Sequence, residues 1–555
     1  MKPDKYRTKF KYVFIAAIVC VAELLNISCS AGGSAGGASS SITALWYADL
    51  SNISTRQATH GYPRLANDTQ VSWVGNSANG FRGQNLFSRL HWFDYLIVDG
   101  NTSAKVSSPN LTSYLGFQGS IRALNPNSVQ VAYFSIGDYS NYAPGICYQS
   151  LLTYYAFGAG FSVSSPSCTD LGTDDFNNSW LYHDTSGNPL SLYNFGAYYS
   201  HIPDPSNSSW QQRYMKTTQN MIIANANVDG LYQDWGGFST IPSLGLYTNV
   251  SLLNNGVDNL GGVGNLTNLT NPVNVDWQNG LLSLYAQEKL AYPSNFILSA
   301  NSGWGGGTVL SSFTNSIQGT QVEDFLNSVA SSAGWQGTMY TYGTWAMNGK
   351  TPNFALIQAD LSFTPGASLN DANHLLYDQM VSSGNNWIST SQLAQLRFSL
   401  ASALMFNGYF ATSNTNATAG GYSAAYWLDE YAVNSSGTAV APADARASAA
   451  IASKGWLGAP LAPAYNSTGY PANISTTLWS VLQTGPSNNS NTNVWRRDFA
   501  NGIVLVNPTA AAVNNISLGG IFKMISGVID PTFNTGATGL TTISLPSNTA
   551  IVLRR

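Results

Sequence analysis

The sequence predicts an α/β protein: a (β/α)8 TIM barrel over residues 42–475, followed by a small C-terminal antiparallel β domain over 476–555. Three observations predict it. Eight short apolar runs recur between residues 42 and 410, most of them continuous rather than alternating, as in strands buried on both faces. Several stretches between them are long enough for a crossover helix. From about Thr476 the pattern changes to short strands separated by turns.

The runs cover residues 42–48, 93–98, 129–135, 228–234, 295–300, 319–324, 354–359 and 403–410. Helices are expected at 111–124, 210–225 and 276–290. In the last of these, Leu281, Leu282, Leu284, Tyr285 and Leu290 fall close to helical spacing. Asn125-Pro126 stops the first. The barrel is longer than the usual ~250 residues, so long loops are required, and 140–207 is the clearest insertion. In the tail, strands are expected at 494–499, 502–507, 523–528, 542–545 and 549–553, with Asn501-Gly502 as a hairpin turn.

The N-terminus reads as an export signal over 1–29. Lys2, Lys5, Arg7, Lys9 and Lys11 precede an apolar run at 12–22 that is too short to span a bilayer. Residues 25–29 (LNISC) look like a degenerate lipobox, which makes Cys29 a candidate lipid anchor; ordinary cleavage is the alternative. Residues 30–41 (SAGGSAGGASSS) form a flexible tether. The expected location is extracellular or at the cell surface, and the expected state is a monomer. Export permits disulfides, so Cys147 and Cys168 are expected to pair, with two buried thiols as the alternative.

Composition excludes several classes. With 23 Lys+Arg against 27 Asp+Glu the net charge is −4, which leaves no cationic surface for nucleic acid. His60, His91, His183, His201 and His374 are never three to five residues apart, no CxxC occurs, and no GxGxxG follows a strand. Neither a metal nor a cofactor is therefore expected. Aromatics make up 12%, with 15 Trp and 30 Tyr, which suits a surface that stacks on sugar rings.

In such a barrel the chemistry sits at the C-terminal ends of the strands. The runs end near Asp49, Asp99, Asp138, Asp234, Asn301, Glu323 with Asp324, and Asp360. An acid that closes a buried strand is costly unless it is paired or functional. Two carboxylates across a cleft can split a glycosidic bond without metal or cofactor. Asp234, in VDGLYQDW, and Glu323, in QVEDF, are the catalytic candidates. Asp324 is the rival to Glu323, because alternation turns only one of two neighbours into the cleft. For each acid alone, a helix cap or a salt bridge is the competing reading. The candidate substrate-binding residues are Trp46, Asp99, Asp138, Trp235, Asn301, Trp304, Asp360 and Tyr409. Tyr133 is a further candidate sugar platform. Asp429 and Glu430 either close one side of the cleft or form a solvated pair, the latter being preferred.

The phrases DYLIV (94–98), ALNPNSVQVAYFS (123–135), WLYHDTSGNPL (180–190), VDGLYQDW (228–235), VEDF (322–325), YWLDEY (426–431), LGAPLAP (457–463) and VWRRDFANGIVLVNPT (494–509) follow one another in an order that resembles the hypothetical glycosyl hydrolase-like family numbered fifteen. The resemblance covers most of the chain after the tether and implies a barrel and a hydrolase. The chain is also similar to retaining barrels of the alpha-galactosidase type, which place a nucleophilic Asp after strand four and an acid/base carboxylate after strand six. That similarity implies Asp234 as nucleophile and Glu323 as acid/base. Because those barrels commonly use Asp as the acid, Asp324 stays in contention. The resulting expectation is an exported glycoside hydrolase acting on a poly- or oligosaccharide. The alternatives are a non-catalytic glycan-binding barrel and a structural surface-layer component.

Overall fold

The computed structural model describes residues 52–69, 92–99, 122, 125–136, 139–140, 177–184, 186–188, 190–195, 198–219, 228–241, 268–303, 308–331, 334–361, 389–414, 427–440, 453–461 and 494–555. The export segment, the tether, Cys29 and the expected Cys147–Cys168 pair lie outside the described residues.

The first half of the chain supplies α1 (Ile53–Thr59), β1 (Ala66–Thr69), β2 (Tyr95–Asp99), β3 (Val129–Ser135), β4 (Tyr139–Ser140), β5 (Ser191–Phe195), β6 (Tyr198–His201), α2 (Ser208–Thr218), β7 (Gly230–Asp234) and α3 (Pro272–Ala291). There follow β8 (Ile297–Asn301), α4 (Ser311–Thr314), β9 (Thr320–Val322), α5 (Phe325–Ala330), α6 (Gly334–Asn348), β10 (Leu356–Leu361), α7 (Thr390–Ala403) and β11 (Tyr409–Asn414). The tail holds β12 (Trp495–Phe499), β13 (Gly502–Asn507), β14 (Val513–Phe522), β15 (Leu540–Leu545) and β16 (Thr549–Arg554).

Eight strands form one sheet in the order β1-β2-β3-β7-β8-β9-β10-β11, and every neighbouring pair is parallel. The sheet closes on itself: Leu65 bridges Phe410 in parallel, and the Phe410 N–H donates to the Arg64 carbonyl at 3.0 Å. The fold is therefore the expected (β/α)8 barrel. Strands β4, β6 and β5 make a small separate sheet within the 140–207 insertion and at its entrance.

Two barrel strands differ from expectation. The first position is filled by Ala66–Thr69, while 42–48 lies outside the described residues. The strand reads ANDT, so no apolar run marks it. The eighth strand is Tyr409–Asn414 rather than 403–410. Ala403 ends α7, and Leu404, Met405 and Phe406 are buried in the turn that follows, so that apolar run belongs to a helix end.

Helix α3 illustrates how local sequence sets an element. Asn271 accepts the Val273 N–H at 3.0 Å, and Pro272 occupies the first turn, where no N–H is needed. Val273, Trp277, Leu281, Leu284 and Tyr285 then bury one face against the barrel. Inside, the N-terminal end of the barrel is plugged by Tyr95, Phe354 and Tyr409, whose ring centroids lie 4.9–5.6 Å apart.

The tail forms the expected small antiparallel domain, with one sheet of β12-β13-β16 and a second of β14-β15. Its middle strand is Val513–Phe522, not 523–528. Ile516, Leu518 and Phe522 are buried, but register shifts after Val513 and Ser517, with Asn515 and Gly519 at positive φ, break the alternation that would have marked it. Arg497 holds this domain to the barrel by donating to the carbonyls of Leu404 (2.8 Å) and Phe406.

Asp429 and Glu430 are not a solvated pair. Both are buried. Asp429 accepts the N–H groups of Val528, Ile529 and Asp530, while Glu430 pairs with Arg397 at 2.6 Å, and Arg397 also pairs with Asp530 at 2.9 Å. These acids latch the tail domain to α7.

Candidate active site

Three adjacent strands bring three polar side chains to the C-terminal mouth: β7 ends on Asp234, β8 ends on Asn301, and Glu323 directly follows β9. Asn301 joins the two acids. Its Nδ2 donates to Asp234 Oδ1 at 2.8 Å and to Glu323 Oε2 at 2.8 Å. Its own Oδ1 accepts the Gly303 N–H at 2.7 Å. That contact fixes which end of the amide faces the acids, because only a nitrogen can donate to both. With one nitrogen touching both oxygens, Asp234 Oδ1 and Glu323 Oε2 lie no further apart than twice that contact.

Asp234 receives two more donors. Tyr133 Oη donates to Oδ2 at 2.7 Å, and the Trp235 N–H donates to Oδ1 at 3.0 Å. The second is possible because Trp235 has φ 66°, a left-handed conformation that is uncommon for a bulky side chain and folds its N–H back on its neighbour. The Trp235 ring stacks on Phe238 at 5.1 Å. Phe238 in turn requires Gly303, where an added Cβ would meet its Cζ at 2.1 Å. The Glu323 N–H donates to the Gly303 carbonyl at 3.0 Å, so the loops after β8 and β9 are tied together beside the acids.

Burial raises the Asp234 pKa, and the donors Tyr133, Asn301 and Trp235 oppose it without cancelling it. Among the described residues no cation pairs with Asp234. Asp324 is also raised by burial, but it faces elsewhere: it opens α5 at φ 50°, and its Oδ2 accepts from Asn327 Nδ2 at 2.7 Å. Of the two neighbours, Glu323 is the one that meets Asp234 through Asn301.

The other expected site residues divide. Trp235 stands at the mouth, partly exposed. Asp360 is buried near the C-terminal end of β10 and accepts from Gln358 Nε2 at 3.0 Å, with Gln358 accepting from Gln321 of β9. Asp99 ends β2, in register with Tyr133. Trp46, Asp138 and Trp304 lie outside the described residues. Tyr409 is a correction. It opens β11 instead of closing the eighth strand, so it lies in the plug at the opposite end, fully buried, with its hydroxyl 2.8 Å from His60 Nδ1. A ligand bound at the C-terminal mouth does not reach it. Tyr133 had been singled out only as a stacking platform. The sign of its other role is alternation along β3, which turns its side chain inward beside the end of β7. Among the described residues no group of three or more His, Cys, Asp or Glu side chains is placed to hold a metal ion.

No protein-family model matches the chain, and no curated protein matches it in sequence. Solved structures align with it loosely. A xylosidase from Aspergillus niger aligns with 11% identity and a TM-score of 0.42, over 90% of this chain and 66% of that one. A maltogenic alpha-amylase from Thermotoga neapolitana aligns with 9% identity and a TM-score of 0.39, over 89% of this chain and 98% of that one. A dextranase from Flavobacterium johnsoniae aligns with 10% identity and a TM-score of 0.41, over 91% of this chain and 54% of that one. At these scores and identities the likenesses carry no argument about chemistry, which rests on the side chains themselves.

Proposed function

We propose that this chain is a retaining glycoside hydrolase, with Asp234 as nucleophile and Glu323 as acid/base. The observation that carries the proposal is the single amide nitrogen of Asn301 in contact with both carboxylates at the mouth of the barrel. Retention needs carboxyl groups about 5–5.5 Å apart, whereas inversion leaves about 6.5–9.5 Å for a water between them. The Asn301 bridge favours the shorter gap.

In the first step an Asp234 oxygen attacks the anomeric carbon, the bond to the leaving oxygen breaks, and Glu323 gives that oxygen its proton. In the second, water attacks the same carbon, Glu323 takes the proton, and the bond to Asp234 breaks. Three neutral donors hold the Asp234 carboxylate in one orientation. Trp235, directly beside it, offers a ring for a sugar face. The basic leader, the apolar run and the Gly/Ser tether support an exported enzyme that meets its poly- or oligosaccharide outside the cell, with Cys29 as a candidate anchor.

The test is release of reducing ends from a panel of glycans by the full chain and by Asp234→Asn. The expected loss is on the order of 10⁴-fold, with an unchanged circular dichroism spectrum. An Asp234→Asn protein with undiminished turnover removes Asp234 from the mechanism.

A further inference from the structure

We infer that Asn301 is a positioning residue that sets the gap between Asp234 and Glu323, rather than a reader of sugar hydroxyls. The inference rests on the hydrolase reading above and deepens it. A carboxamide has two N–H donors, and both are spent here, one on each carboxylate. The carbonyl end is held by Gly303, so the amide cannot turn over without losing all three contacts. The residue is 4% exposed, and its backbone is fixed on both sides: its carbonyl accepts the Gly237 N–H at 2.8 Å, and it lies in register with Gln321 of β9. No donor remains for a substrate.

The need for such a clamp follows from charge. Two carboxylates brought this close repel whenever both are ionised, and Asp234 meets only neutral donors among the described residues. The shared amide offsets that repulsion, and at Asp234 it favours the ionised form. Without it the carboxylates drift apart toward a spacing that admits water, and the reacting atoms lose alignment; misplacement of about 1 Å costs roughly 100-fold.

Two variants separate positioning from packing. Asn301→Ala removes the whole amide. Asn301→Asp keeps its size and an acceptor for Gly303 but removes both donors. A clamp predicts that kcat falls by about 100-fold in both, with KM changed little. It also predicts that the acidic limb of the kcat/KM profile moves to higher pH in Asn301→Ala, because the lost donor had favoured ionised Asp234. A packing role predicts that Asn301→Asp keeps wild-type kcat, or that Asn301→Ala loses activity only in proportion to its folded fraction with the limb unmoved; either result overturns the inference. If the wild-type protein cleaves no glycan, the hydrolase reading fails on that result, and the clamp is judged by carbon-13 titration of the Asp234 carboxyl in the unliganded protein. A higher titration midpoint in Asn301→Ala than in wild type supports the clamp, and an unchanged midpoint overturns it.

Discussion

Asp229 and Asp234 bracket the same strand, one just before β7 and one at its C-terminal end, yet their surroundings are opposite. Asp229 lies at the closed end of the barrel. It pairs with Arg56 at 2.6 Å and Arg122 at 2.8 Å and accepts the Gln130 N–H at 2.9 Å. Burial alone would raise its pKa, but Arg122 and Arg56 outweigh burial and hold it below the ordinary carboxylate range. Asp234 lies at the C-terminal end, where among the described residues it has only neutral donors, and burial wins. A third acid stands behind the strand: Glu288 of α3 is fully buried, bonds to Gln233 Nε2 at 2.7 Å, and is pushed up to about 8, chiefly by burial. Two acids five residues apart along one strand thus differ in the sign of their shift because of their partners, not their burial. Cations compensate Asp229, whereas Asp234 at the C-terminal end is held by neutral donors alone among the described residues.

Exchanging acids on either side of this contrast has graded consequences. After the loss expected for Asp234→Asn, the next largest is that of Glu323→Gln, which lowers turnover of glycosides with poor leaving groups by about 10²–10⁴-fold and affects activated leaving groups far less. Steady-state rates on the two substrate types check it. Asp229→Asn removes the carboxylate shared by Arg56 and Arg122 and lowers stability by about 3–5 kcal/mol in chemical denaturation, without lowering turnover per folded molecule. The stability that Asp229 contributes is present above its unfolded pKa of about 3.9 and is lost as pH falls through its lower folded pKa, so the variant also loses that part of the acid dependence.

Glu288→Gln acts in the opposite direction. The folded protein keeps the Glu288 proton up to about pH 8, whereas the unfolded chain releases it near about 4.3, so stability declines as pH rises between those values. The variant removes that decline, and its Tm at pH 8 rises above wild type while the two converge at pH 4. The smallest effect belongs to Asp324→Asn. Its side chain faces Asn327, so kcat/KM is expected to change by less than about 1 kcal/mol in transition-state terms. A loss comparable to that of Glu323→Gln transfers the acid role to Asp324.

Much of the barrel was legible in the sequence, because strands buried on both faces leave apolar runs: 129–135 and 502–507 match β3 and β13 at both ends. Strand β1 was not legible, since ANDT carries no such run, and the buried turn after α7 imitated a strand and displaced Tyr409 to the wrong end. At the site, the strand-end acids were legible because charged residues are only 9% of the chain. Which of Glu323 and Asp324 meets Asp234 was not, because it depends on a left-handed turn at Asp324 and on where the Asn301 amide points. The Asp429–Glu430 latch depends on contacts with residues about 100 positions later, which no local pattern reveals.

The central claim is that the bridged pair Asp234–Glu323 cleaves a glycosidic bond with its carboxyls at the short spacing. Proton NMR of the sugar released first, read before mutarotation, tests it most directly. The account predicts a product with the same anomeric configuration as the substrate; a product of opposite configuration contradicts it.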